Sequence, residues 1–173
     1  MTELIQGKDF FSFFRLLKEQ ATADAAKLRF ETEATISKEK ETEATPTKDG
    51  IVNTINDGEN TAEFTSLAYA DDTETIEIWR VLEEAFDDNE LVEFWSVLLT
   101  GNTDGNVDAV YHQGYFTSFE ISAPADGQVE LSYSYAINGK PQKGEDTLTP
   151  EQLQAANSAQ YEYETMQAVT PGA

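Results

Sequence analysis

Residues 129–137 read Val-Glu-Leu-Ser-Tyr-Ser-Tyr-Ala-Ile, so Val129, Leu131, Tyr133, Tyr135 and Ile137 alternate with Glu130, Ser132, Ser134 and Ala136. A period of two over nine residues describes a strand with one packed face and one wet face. Such a strand needs partners, and the chain supplies candidates. Residues 28–36 alternate in the same way, with Leu28, Phe30, Thr32, Ala34 and Ile36 against Arg29, Glu31, Glu33 and Thr35. Residues 9–17 carry Phe10, Phe11, Phe13 and Phe14 and read as a short buried strand. Residues 91–99 are apolar on both parities, as a central strand requires. Residues 51–55, 62–69 and 110–122 add further strands, and 56–58 (Asn-Asp-Gly) looks like a turn. The strand over 128–137 runs into Asn138-Gly139, a strong hairpin signal, with a weak return strand over 142–148.

Helical periodicity is confined to one place. In 73–87, Ile78, Trp79, Leu82, Ala85 and Phe86 share a face at 3.6-residue spacing, opposite Glu77, Arg80, Glu84 and Asp87. Asp71 and Glu74 have capping-box spacing at its start, and Asp88-Asn89 suits its end. Thr149-Pro150-Glu151-Gln152 opens a second, short helix. The Ala-rich 21–27 suggests one or two helical turns. Residues 37–50 have no apolar period and read as a long loop or an exposed hairpin arm. The expected fold is mainly β: an antiparallel β-sandwich or partial barrel with a flanking α-helix. Ile78, Trp79, Leu82 and Phe86 pack the helix on the sheet, and Phe11, Phe13 and Trp95 fill the core beneath it. One domain is expected over 1–158, with a C-terminal tail at 159–173.

Charge narrows the function. The 173 residues carry 33 acidic and 11 basic side chains, a formal charge of −22. Residues 49–139 hold 19 of the acids against Arg80 alone, whereas 1–48 hold eight bases and nine acids. A chain of this sign is a poor ligand for nucleic acid, which is bound by placing Lys and Arg on phosphates. There is no cysteine, hence no disulfide, thiol nucleophile or thiolate metal site. There is no run of about 18 apolar residues, so no membrane-spanning helix is expected. Glu3, Ser12 and Arg15 break the N-terminal apolar cluster, which argues against a secretory signal.

Catalytic and cofactor motifs are lacking. His112 is the single histidine, and no G-x-S-x-G accompanies it, so it reads as a strand residue. Carboxylate pairs abound but none is marked by its neighbourhood. Asn102, Asp104, Asn106 and Asp108 begin like a calcium loop, yet Val107 stands where that loop needs Gly and Gln113 where it needs Glu. No catalytic, cofactor or metal residue is nominated. An acidic surface that mimics DNA and traps a nucleic-acid enzyme, or another protein-interaction module, is the alternative of another class.

Several segments, in order and spacing, resemble the major tail proteins of phages with long non-contractile tails, the lactococcal-type tail-tube family. They are Gly7-Lys8-Asp9-Phe10, Phe14-Arg15-Leu16-Leu17, Asp24-Ala25-Ala26-Lys27-Leu28, Thr32-Glu33, Thr45-Pro46-Thr47-Lys48-Asp49-Gly50, Gln113-Gly114-Tyr115-Phe116-Thr117-Ser118, Ala136-Ile137-Asn138-Gly139-Lys140-Pro141-Gln142 and Leu148-Thr149. The resemblance spans about residues 7–153. It implies a β-sandwich-like tube fold and hexameric rings, stacked in the phage tail around a tape measure protein. It also implies tail terminator and distal tail proteins as partners, passage of double-stranded DNA, and no catalysis. A conduit for DNA is served by walls that repel phosphate, so Glu31, Glu33, Glu63, Glu120 and Glu130 are expected to face the lumen. The mixed-charge arm, with Lys38, Glu39, Lys40, Glu41, Glu43 and Lys48, is expected to reach the adjacent ring.

Overall fold

The structure is a computed structural model that describes residues 4–70, 78–98, 106–150, 152 and 166. The strands are β1 (Phe10–Leu16), β2 (Ala26–Lys27), β3 (Glu31–Ser37), β4 (Lys40–Thr47), β5 (Gly50–Asp57), β6 (Thr61–Leu67), β7 (Val92–Leu98), β8 (Asn106–Ser122) and β9 (Glu130–Thr147), with helix α1 (Ile78–Asp87) between β6 and β7. Seven strands form one antiparallel sheet in the order β2-β1-β7-β8-β9-β6-β3. Among the described residues, β4 and β5 pair only with each other.

β2 and β3 lie at opposite ends of that order, yet only residues 28–30 separate them. Four extended residue steps span at most about 14 Å, so the sheet must curl until its two ends approach. Leu28 N–H donates to Ser12 C=O (2.9 Å) and Leu67 N–H to Phe30 C=O (3.0 Å), fixing the bridging segment at both sides. The result is a half-barrel.

Its inside is the main core. Phe14, Phe64, Phe94, Phe116, Tyr133 and Tyr135 pack there with Leu28, Leu131 and the helix residues Ile78, Trp79, Leu82 and Ala85. Phe14 stacks on Phe94 (5.2 Å) and meets Phe64 edge-on (5.1 Å), arrangements favoured by the ring quadrupole. Phe86 is half-buried against the same cluster, so all four expected helix residues pack there. α1 ends with Asn89 in the left-handed region (φ 55°), Glu90 N–H donating to Ala85 C=O and Asn89 N–H to Phe86 C=O. The start of the expected helix, including Asp71 and Glu74, lies outside the described residues.

The structure corrects several expectations. Phe11, Phe13 and Trp95 do not lie beneath the helix: they form a second cluster with Val97, Val107, Ala109 and Leu148 on the other face of the sheet. Because β1 and β7 are covered on both faces, Phe13 and Phe14 are both buried. Residues 21–27 form a turn and the two-residue β2, too short a segment to nucleate a helix against edge pairing with Phe13 and Phe14. The strand expected over 28–36 starts at Glu31, because Phe30 adopts φ 55° and breaks the alternation. Asn56 and Asp57 are strand residues of β5; the turn begins at Gly58.

Asn138-Gly139 does not make a hairpin. β9 runs on through it, because the 17-residue β8 offers a partner along its whole length. Residues 139–141 stand opposite the single His112, so β9 absorbs two extra residues in a bulge there, with Gly139 at φ 60°. Thr149 and Gln152 do form the expected capping box: Gln152 N–H donates to Thr149 Oγ1 (3.1 Å) and Thr149 N–H to Gln152 Oε1 (2.9 Å).

Candidate assembly surfaces

One face of the half-barrel is built for water. Across β3, β6, β9 and β8 the register sets Glu33 beside Thr65, Ser132 and Glu120 in one row, and Thr35 beside Glu63, Ser134 and Ser118 in the next. Glu130 follows, between Leu67 and Ser122. Directly paired residues project to the same side. Four of the five acids expected on the wet face therefore share one side of one sheet, among Ser and Thr and without a Lys or Arg.

Glu31 is the exception. A register shift between Glu31 and Glu33 pairs Glu31 with the buried Ser66, which turns its side chain to the core side. There burial pushes its carboxyl up to about 7, against the lowering influence of Ser12 and Lys27. Its Oε2 has no hydrogen-bond partner.

The same four strands have two open edges. β7 covers β8 only as far as Gly114, so among the described residues 115–122 pair with β9 alone. Among the described residues β3 likewise pairs with β6 alone. Three antiparallel steps separate the edges, so β8 and β3 run in opposite directions. When copies related by rotation stand side by side, the β8 edge of one meets the β3 edge of the next in antiparallel sense. Exposed edges are a liability in a monomer and a closing device in a ring.

Exposed apolar side chains point to the same places. Phe30 (39% exposed) sits beside the β3 edge, while Tyr115 (42%) and Ile121 (49%) lie on the open half of β8. Ile51, Val52 and Ile55 (71%, 54% and 65%) lie on the β4–β5 hairpin. This hairpin is the expected arm, longer than predicted: it takes in β5 as well. All 16 of its strand residues are exposed. One face carries Thr42, Ala44, Pro46, Ile51 and Ile55, and the other Glu41, Glu43 and Val52. Lys40 pairs with Asp57 at the base, and Gly58 N–H donates to Glu39 C=O (2.9 Å). Lys38 precedes the hairpin and Lys48 lies in its turn. Eight residues per strand give a reach of about 26 Å. A lone two-stranded hairpin with an unburied apolar face is marginal in water.

Two buried polar clusters were not legible in the sequence. Glu93, fully buried, accepts from Arg15 Nε (2.9 Å), Gln20 Nε2 (3.1 Å) and Tyr111 Oη. That satisfies a charge whose desolvation would otherwise be severe, and Tyr111 has its hydroxyl pKa raised by burial and by that bond. The available signal was Glu93 as the lone charge in an apolar run. His112 is buried against Phe94 (ring centroids 4.6 Å) with Nδ1 3.2 Å from Phe94 C=O, and burial lowers its pKa. Among the described residues no group of three or more His, Cys, Asp or Glu is placed to hold a metal.

Comparison with known proteins follows the same lines. The family model described as phage tail tube protein matches residues 4–143. A tail protein of Staphylococcus phage phiMR25 is 32% identical over 153 residues, 86% of this chain and 76% of that protein. Among solved structures, the SPP1 tail tube superposes with a TM-score of 0.77 at 21% identity, covering 97% of this chain and 95% of that one. A subunit from the virion of a native gene transfer agent particle gives 0.59 at 16% identity, covering 82% and 99%.

Proposed function

The chain belongs to the phage tail tube protein family, and from that premise we propose how its surfaces build the tube. As a member it is a structural, self-assembling protein of the phage tail. The family sets the acidic-decoy reading aside. In the proposed arrangement each subunit contributes β3, β6, β9 and β8 to one continuous barrel, β8 of one copy pairing with β3 of the next. The single observation that carries this is the four-stranded segment with a polar face and two open, oppositely directed edges.

The polar face lines the channel, with Glu33, Glu63, Glu120 and Glu130 replacing the five acids read from sequence. Duplex DNA carries a charge about every 1.7 Å along its axis, and acidic walls hold it off over the roughly 8–10 Å that salt allows. Before DNA, the channel holds a tape measure protein; terminator and distal tail proteins close the ends, and rings are hexameric. The arm spans to the adjoining ring, burying Ile51 and Ile55. No catalytic step is assigned. The tube domain covers 1–158, tethered near its end by Gln152 Nε2 on Ala25 C=O (2.8 Å), with 159–173 as an appendage.

Replacing Glu33, Glu63, Glu120 and Glu130 by Lys tests the channel. The variant is expected to form tubes that retain added linear duplex DNA, where wild-type tubes release it. Tubes that form and bind no DNA would contradict the lumen assignment.

A further inference from the structure

The open strand β3 is irregular at one place. Glu31 pairs with Ser66 and Glu33 with Thr65, so Thr32 is an extra residue and forms a bulge, its hydroxyl donating to Thr65 C=O (3.2 Å). Just before it, Phe30 holds φ 55°, a strained conformation for a bulky residue. The bulge turns Glu31 inward. Among the described residues its Oε2 and the Oγ of Ser12, both buried atoms, find no hydrogen-bond partner. Ser12 on β1 and Lys27 on β2 act on the Glu31 carboxyl, Ser66 on β6 pairs with it, and it acts in turn on Tyr133 of β9. Ser66 and Tyr133 are hydrogen-bonded to each other (3.1 Å), while Lys8 and Glu33 line the same cleft of roughly 660 Å³ as Glu31. Backbone strain, an extra residue and two orphaned polar atoms thus coincide on one edge strand. Without the bulge, the register fixed by Glu33 and Thr65 sets Glu31 opposite Leu67, on the side of Glu33 and in one row with Glu130.

We propose that Glu31 guards the β3 edge: turned inward it keeps the edge of the free chain irregular, and when a second copy docks, the bulge is drawn out and Glu31 turns to the polar face. This rests on the ring reading and adds to it a switch and a fifth acid on the channel wall. Bulges and inward-pointing charged residues are devices by which exposed edges avoid indiscriminate pairing. A regular β3 matches a straight neighbouring strand along its length, which a bulged one does not. Burial keeps Glu31 protonated up to about pH 7, whereas on the wet face it ionises at its ordinary value of 4.5. Docking therefore releases one proton per subunit to water between those values. Rising pH favours assembly across that window and has no further effect above it. The net charge acts in the opposite sense, since a more acidic chain repels its copies more strongly.

The test is the protein concentration at which rings appear, followed by light scattering and negative-stain electron microscopy from about pH 5.5 to 8. For wild type it should fall by up to about tenfold per pH unit as far as pH 7 and then level off. Glu31→Gln has no proton to lose and stays inward at every pH. It should need roughly tenfold more protein than wild type at pH 8 and show no step, even though it makes the chain less acidic. Glu31→Lys does not stay buried as a charge, so it should assemble at every pH at the concentration that wild type needs at pH 8. Both variants are expected to keep the wild-type circular dichroism spectrum. A map of wild-type tubes should set Glu31 opposite Leu67. A wild-type threshold that does not fall with pH, Glu31→Gln assembling as readily as wild type at pH 8, or Glu31 still opposite Ser66 in the tube would overturn the switch and leave the ring reading intact. Wild type forming no rings at any of these pH values would overturn both.

Discussion

At the scale of residues, two positions have roles that composition hides. Folded Glu31 keeps its proton up to about pH 7, whereas its ordinary value is 4.5. Between those values the folded chain binds more protons than the unfolded one, so this group's contribution falls as pH rises through that window and is flat above it. Glu31→Gln is therefore expected to stabilise the monomer by about 2 kcal/mol at pH 8 and to change little at pH 4, by chemical denaturation. Equal effects at both values would contradict the burial. Gly114 is required for a different reason. A Cβ there would lie 1.9 Å from Ala136 O and 2.9 Å from Ala136 C, both backbone atoms with little room to yield. Gly114→Ala should cost about 3 kcal/mol, while Gly144→Ala, with open space around it, should be near neutral. The alternation over 129–137 made its buried set readable, but Glu31 was not readable. A single register shift moved it to the other face, and such shifts follow from pairing rather than from local pattern.

At the scale of elements, the helix face, the central strand and the alternating strands were legible because their burial repeats with the element's own period. The elements that departed did so under long-range pairing. Asn138-Gly139 has the chemistry of a tight turn and was overruled by β8 continuing alongside. Residues 51–55 read as a further strand, and in the structure the β-branched, apolar Ile51 and Val52 of that strand sit exposed on the arm. Their exposure makes sense once a second copy is allowed for. Replacing 41–56 by a short turn is expected to leave rings but to abolish long tubes. Ile51→Asn/Ile55→Asn should leave the monomer's melting temperature nearly unchanged and shorten the tubes, judged by electron microscopy. Tubes of normal length from both variants would show that the arm does not join rings.

At the scale of the whole molecule, a charge of −22 is repeated in every subunit of every ring. Self-repulsion then opposes assembly, and salt weakens it. Wild-type assembly, followed by light scattering, should therefore improve from about 20 to 200 mM salt, because the 33 acidic side chains far outnumber the 11 basic ones. Assembly that weakens with salt would contradict this account of the charge. The central claim is geometric: the Ser, Thr and Glu face of β3, β6, β9 and β8 turns inward. A cryo-electron microscopy map of assembled tubes tests it most directly. It should show Glu33, Glu63, Glu120 and Glu130 on the channel wall, with residues 115–122 of one copy hydrogen-bonded to 31–37 of the next. A map with that face turned outward, or with those edges unpaired, would contradict it.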